Sequence, residues 1–177
     1  MAARTTNLLG ALALGLADAV EAVARKEARE GGPAGAALCA VAHEPGLSIE
    51  ALRHALGLSH PGAVRLIDRL AGDGAIERRT ARDKRAVALH LTAGGARRVR
   101  KIMADRRRAL EGALRALSPR ERGMLDRLLA KMLRALPQSD AHALAICRFC
   151  EGDACDPCPV GEALDKRTGQ GPADTLR

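Results

Sequence analysis

The chain has 177 residues and a formal net charge of +8, enough for one domain, or one domain with an appendage. Apolar residues make up 47%, mostly Ala and Leu, and Phe149 is the only aromatic. That composition favours helices packed through aliphatic side chains. It excludes the stacking surface that readers of single-stranded nucleic acid use, so the positive charge points to duplex DNA as the polyanionic partner.

Residues 5–30 form a first amphipathic helix, with Leu9, Leu12, Leu16, Val20 and Val23 on one face, closed by Gly31-Gly32-Pro33. Arg4, the apolar run from Leu8 and Ala17-Asp18-Ala19 have the form of a secretory signal. The apolar face continues through that cleavage site, so a cytoplasmic helix is expected. No run is read as reaching the ~18 apolar residues of a membrane span.

Residues 34–43 are a short apolar helix ended by Pro45-Gly46. Ser48 caps Ile49–Leu56, Gly57 supplies the turn, and Ser59 caps a helix to Ala71 with Pro61 in its first turn. Gly72-Asp73-Gly74 stops it. Ile76–Arg79 and Ala86–Leu91 are two short strands around Thr80–Arg85, and Val87, Leu89 and Leu91 alternate with Ala88 and His90.

Thr92 caps a long helix to Leu117, with Val99, Ile102, Met103, Leu110, Leu114 and Leu117 as its stripe. Ser118-Pro119-Arg120-Glu121 is a capping box. It opens a helix to Leu136 that carries Leu125, Leu128, Leu129, Met132 and Leu136. Pro137 ends it.

The expected fold is mainly α with a small β-hairpin wing (α+β): a winged helix-turn-helix plus long helices for dimerisation. The expected divisions are a dimerisation helix at 1–33, the winged helix-turn-helix at 34–91, dimerisation helices at 92–137, a cysteine-rich segment at 142–164 and a disordered tail at 165–177.

In a helix-turn-helix the second helix enters the major groove, and its N-terminal residues meet base edges. Here Ser59, His60, Gly62 and Arg65 occupy its first two turns. Arg65 can contact a guanine bidentately or a phosphate. Val64, Ile67 and Leu70 belong to the core. Asp68 and Arg69 can pair on the outer face or steady the wing. Arg82, Lys84 and Arg85 flank the single acid of the turn, Asp83, and Arg78 and Arg79 precede it. A cationic turn of this kind suits the minor groove or flanking phosphates.

Leu58-Ser59, Val64-Arg65-Leu66-Ile67-Asp68-Arg69-Leu70, Gly74–Arg79, Asp83-Lys84-Arg85-Ala86 and Leu91–Gly95 occur in the order and spacing of one family. From about Leu47 to Leu136 the chain resembles the MarR-type (multiple-antibiotic-resistance) regulators. The resemblance implies a homodimer built from the first and last two long helices. It also implies a salt bridge between Asp83 and Arg85 that shapes the wing. Two recognition helices about one DNA turn apart, ~34–36 Å, then read a pseudo-palindromic operator. The sequence departs from the family at Lys84, where Arg is usual, and at His60-Pro61-Gly62, where hydroxyl residues are commoner.

Cys147, Cys150, Cys155 and Cys158 follow the spacing C-x2-C-x4-C-x2-C. Four thiolates can close a tetrahedral zinc site or hold an iron–sulfur cluster. Two disulfides of a redox sensor and four free thiols are the other readings. Cys39, on an apolar helix, is a core residue, and His43 or His54 can line a cleft between the dimer and DNA regions.

No catalytic Ser/His/Asp order, paired carboxylates or phosphate-binding glycine loop is present, so an enzyme is not expected. The expected protein is a DNA-binding repressor that responds to a small-molecule effector. In one alternative the cysteine cluster is a metal or redox input. In another, the winged helix binds protein and no DNA.

Overall fold

The computed structural model describes residues 2–28, 33–80 and 87–168. The described elements are α1 (Ala2–Ala28), α2 (Ala34–His43), α3 (Ile49–Ala55), α4 (His60–Gly72), β1 (Ile76–Thr80), β2 (Val87–Leu91), α5 (Ala93–Leu114), α6 (Pro119–Ala135), α7 (Asp140–Cys147), a 3-10 turn (Gly152–Cys155) and α8 (Pro159–Thr168).

Hydroxyl caps set the helix starts. The Oγ of Ser48 accepts from the Ala51 amide at 3.0 Å, that of Ser59 from Gly62 at 3.2 Å, and Thr92 Oγ1 from Gly95 at 3.1 Å. Ser118 and Glu121 form the reciprocal capping box. Ser139 also caps α7, accepting from the His142 amide at 3.2 Å. Gly57 and Gly74 turn the chain with φ of +62° and +64°, a conformation that a Cβ disfavours.

The hairpin is antiparallel, with Ile76 opposite Leu91 and Thr80 opposite Val87. The segment before α3 extends it: Gly46 N–H donates to Leu89 O at 2.9 Å, and Leu89 N–H donates to Leu47 O at 3.0 Å. This bridge explains a departure from simple alternation, because Ala88, opposite Ser48, is buried along with Leu89, whereas Val87 is exposed.

The main core lies between α2, α3, α4 and the hairpin and is filled by Leu38, Leu52, Leu66, Ile67, Leu70 and Leu89. Val64, expected there, is half-buried, and Leu66 takes the interior position. A smaller cluster of Ala24, Cys39 and Ile102 joins α1, α2 and α5, with Phe149 packed against it. Cys39 is the expected core residue: burial pushes its thiol up to about 12.

The long helices leave much of their apolar surface uncovered, and α6 has no buried residue. Leu8, Leu9, Leu12 and Leu14 of α1 are exposed, as are Met124, Leu128, Leu129 and Met132 of α6. An 18-residue window within Ala2–Glu27 has a mean hydropathy of 1.5, so this helix is long and apolar enough to cross a membrane. That corrects the expectation that no such run exists. Its C-terminal half packs on α5 and α2.

The C-terminal segment is more ordered than expected, since α8 carries the chain through Thr168, past the expected start of the tail at Asp165. Residues 169–177 lie outside the described residues.

Candidate nucleic-acid interface

The exposed face of α4 follows from how the helix is held. Ala63, Leu66, Ile67 and Leu70 anchor one face in the core. The opposite face therefore presents Ser59, His60, Arg65, Asp68 and Arg69 to solvent, with Gly62 half-buried beneath the cap. This is the geometry of a recognition helix, rigid on one side and polar on the other.

Asp68 does steady the wing, because its Oδ1 accepts from Arg78 Nη2 at 2.7 Å, across from β1. Arg78 is thus tied to α4, while Arg79 pairs with Glu77 on its own strand. The expected contacts Arg82, Asp83, Lys84 and Arg85, and the expected Asp83–Arg85 salt bridge, lie outside the described residues.

The sequence reading missed Glu50. Its carboxylate accepts from Arg53 and from His54, the latter at 2.9 Å, and lies 3.6 Å from His60 Nδ1. The i, i+3 and i, i+4 spacing on α3 could have revealed the first two partners. His60 enters only when α4 folds back beside α3. The acid therefore pairs with Arg53 and faces His60 at the start of α4.

Hydrogen bonding from Arg53 is the main reason that the Glu50 carboxyl sits well below its ordinary value of 4.5, at about 2. A depressed carboxylate stabilises the fold above its unfolded value and loses that contribution as pH falls through the folded one. The Glu50 contribution is therefore lost between about pH 4.5 and 2. Replacing Glu50 by Gln should lower the melting temperature at neutral pH, where the contribution is fully present, and flatten the pH dependence of melting between about pH 4.5 and 2. An unchanged acid profile would refute this role.

Burial and the neighbouring thiols raise Cys155 to about 11, while hydrogen bonding with Cys150 lowers Cys147. Cys147, Cys150, Cys155 and Cys158 are thus brought within interaction distance in chain order, all half-buried. Among the described residues, no three potential ligands are already drawn together as closely as a bound ion requires. A cavity of about 400 Å³ lies where α1, α2 and α3 meet this segment, lined in part by Arg25, Ala36, Leu56, Arg148 and Phe149. Neither His43 nor His54 lines it.

Helix, turn, anchored second helix and hairpin together define a winged helix-turn-helix. Residues 32–86 match the MarR family, and over this region the chain is similar to the MarR-type winged-helix regulators. Regulators of this family act by binding DNA and not by catalysis. Its structure is similar to that of a MarR family protein from Bacillus stearothermophilus, with 24% identity over 74% of this chain and 91% of that one, at a TM-score of 0.65. It is also similar to RV1404 from Mycobacterium tuberculosis, with 26% identity over 74% and 90% of the two chains, at a TM-score of 0.59. A mutant of S. aureus MepR bound to an oligodeoxyribonucleotide shares the fold, with 19% identity over 75% and 98% and a TM-score of 0.53. No curated protein matches the chain.

Proposed function

We propose that the protein is a cytoplasmic homodimeric repressor that reads a pseudo-palindromic duplex operator and releases it when an effector binds. The observation that carries this reading is the outer face of α4, where Ser59, His60 and Arg65 stand exposed on a helix anchored by four buried residues. The cationic stretch from Arg78 to Arg85 follows α4 in sequence.

A second copy of the chain is the partner that suits the apolar stripes of α1 and α6. Leu12 is 53% exposed and Leu128 52%, and each such side chain gains about 1.5–3 kcal/mol on full burial. Light scattering should therefore give twice the chain mass. The cavity between α1, α2, α3 and the cysteine segment supports an effector site, because a ligand there bears on the joint between the first helix and the helix-turn-helix. A ligand shifts such an equilibrium only by its differential affinity for the two shapes.

Selection from a random duplex library tests the DNA reading. It should return an inverted repeat. Dimer affinity should fall by about 10³–10⁵ between 50 and 200 mM salt if roughly six to ten phosphates are contacted. Binding without salt dependence would overturn the reading in favour of a protein partner. Arg65→Ala should relax preference at one base position by about 1–3 kcal/mol. A uniform loss across all sequences would instead make Arg65 a phosphate contact.

A further inference from the structure

The cysteine segment is too small to hold itself together. Among the described residues of 140–168, only Ala143, Pro159 and Val160 are buried. So short a piece with so little apolar burial needs a staple. It nevertheless folds into a helix, a 3-10 turn and a helix in fixed positions against the rest of the chain. Three of its four thiols sit at the ends of these elements: Cys147 closes α7, Cys155 closes the 3-10 turn, and Cys158 immediately precedes α8, while Cys150 lies between α7 and the 3-10 turn.

One thiol, Cys158, sits where negative charge is favoured. The Gly161 amide donates to Cys158 Sγ at 3.4 Å, at the N-terminus of α8, where the helix dipole favours negative charge. Arg106 of α5 lies near enough to Cys150 to favour negative charge there, whereas the Arg148 side chain donates to the Ala145 carbonyl and lies over the Phe149 ring. Two C-x-x-C pairs supply the all-sulfur tetrahedral set that zinc takes.

The segment also touches both halves of the molecule. Its α7 packs on α3, the first helix of the helix-turn-helix, and Leu144 joins the main core. Phe149, between Cys147 and Cys150, packs on Ala24, Cys39 and Ile102 from α1, α2 and α5. Glu151 pairs with Arg107 of α5 at 3.4 Å, and Glu162 of α8 pairs with Arg134 of α6 at 2.6 Å. The cysteine segment is thus a rivet between the long helices and the helix-turn-helix.

We propose that Cys147, Cys150, Cys155 and Cys158 bind one zinc ion per chain, and that this ion fixes the position of the helix-turn-helix against the long helices. The regulatory consequence rests on the DNA-binding reading above; the metal site does not. On binding, the thiols give up their protons to become ligands, so loading strengthens as pH rises.

The test uses the full chain purified under reducing conditions, in two independent arms. In the first, metal analysis should give one zinc per chain. Cobalt(II) added to the zinc-free protein should give the intense visible bands of a tetrahedral thiolate site, saturating at one equivalent. The double variant Cys147→Ser/Cys158→Ser should lose both. Iron with acid-labile sulfide, disulfides, or four reactive thiols with no bound ion would each overturn the zinc assignment.

In the second arm, amide exchange is compared with and without zinc. Removing the ion should speed exchange about tenfold or more in α7, α8 and the face of α3 beneath α7. Zinc bound with α3 exchange unchanged would overturn the rivet. Duplex affinity, measured on the same samples with the selected operator, should fall at least about fivefold without the ion. Absence of any duplex binding, with the first arm intact, would count against the DNA reading and leave the metal site standing.

Discussion

Removing the three wing cations together, as Arg82→Ala/Lys84→Ala/Arg85→Ala, should lower duplex affinity roughly 500-fold at about 0.1 M salt while leaving sequence preference unchanged. The size follows from counterion release: each neutralised phosphate contributes about 0.9 to the slope of log affinity against log salt, so three contacts contribute about 2.7. Between 50 and 200 mM salt the parent should accordingly lose roughly 40-fold more affinity than the variant, and the two should converge near 1 M. Fluorescence anisotropy on a labelled operator at four salt concentrations measures this. Parallel salt plots with an offset would mean that the wing acts by shape and not by charge. Identical plots would mean that the wing does not touch DNA.

That this prediction can be made from the sequence shows what is legible there. Caps and turns are local. Ser48, Ser59, Thr92 and Ser118 each satisfy the amide three residues on, and Gly57 and Gly74 sit where only a left-handed residue closes the turn. The start of each of those helices, and the hairpin after α4, follow from such signals.

What is not legible depends on chain segments far apart in sequence. Glu50 reaches His60 only because α3 and α4 pack together. The position of Asp68 allows it to steady the wing, but its partner Arg78 is set by the height of β1 beside α4. The C-terminal helices are hidden for a different reason. Asp140–Cys147 is short and shows no strong apolar face, and its neighbours are cysteines, glycines and prolines that read as loop. Contacts with α3 and α6 hold these helices, and local propensity does little.

Gly95 shows the same dependence with the largest effect on stability. By helix propensity alone, Gly95→Ala in the first turn of α5 should stabilise by up to about 1 kcal/mol. Tertiary contact reverses the sign. A Cβ at this position would overlap the Ala75 carbonyl oxygen and stand 3.0 Å from its carbon. The helix must then move away from the strand entrance by ~1 Å or more to restore ordinary contact. That carbonyl accepts from the Thr92 amide at 3.1 Å, and Thr92 Oγ1 donates to Gly74 O at 2.5 Å while capping Gly95. Overpacking of this kind costs about 1–3 kcal/mol or more, and a damaged cap about 1 kcal/mol further.

The net expectation is a loss of about 2–4 kcal/mol and a melting temperature lower by roughly 5–15 °C. Gly112, in the same helix with nothing within 4 Å of its would-be Cβ, is the control: Gly112→Ala should raise stability by up to about 1 kcal/mol. Thermal unfolding of both variants decides the matter. If Gly95→Ala were as stabilising as Gly112→Ala, the close seat of α5 on the end of α4 would be wrong.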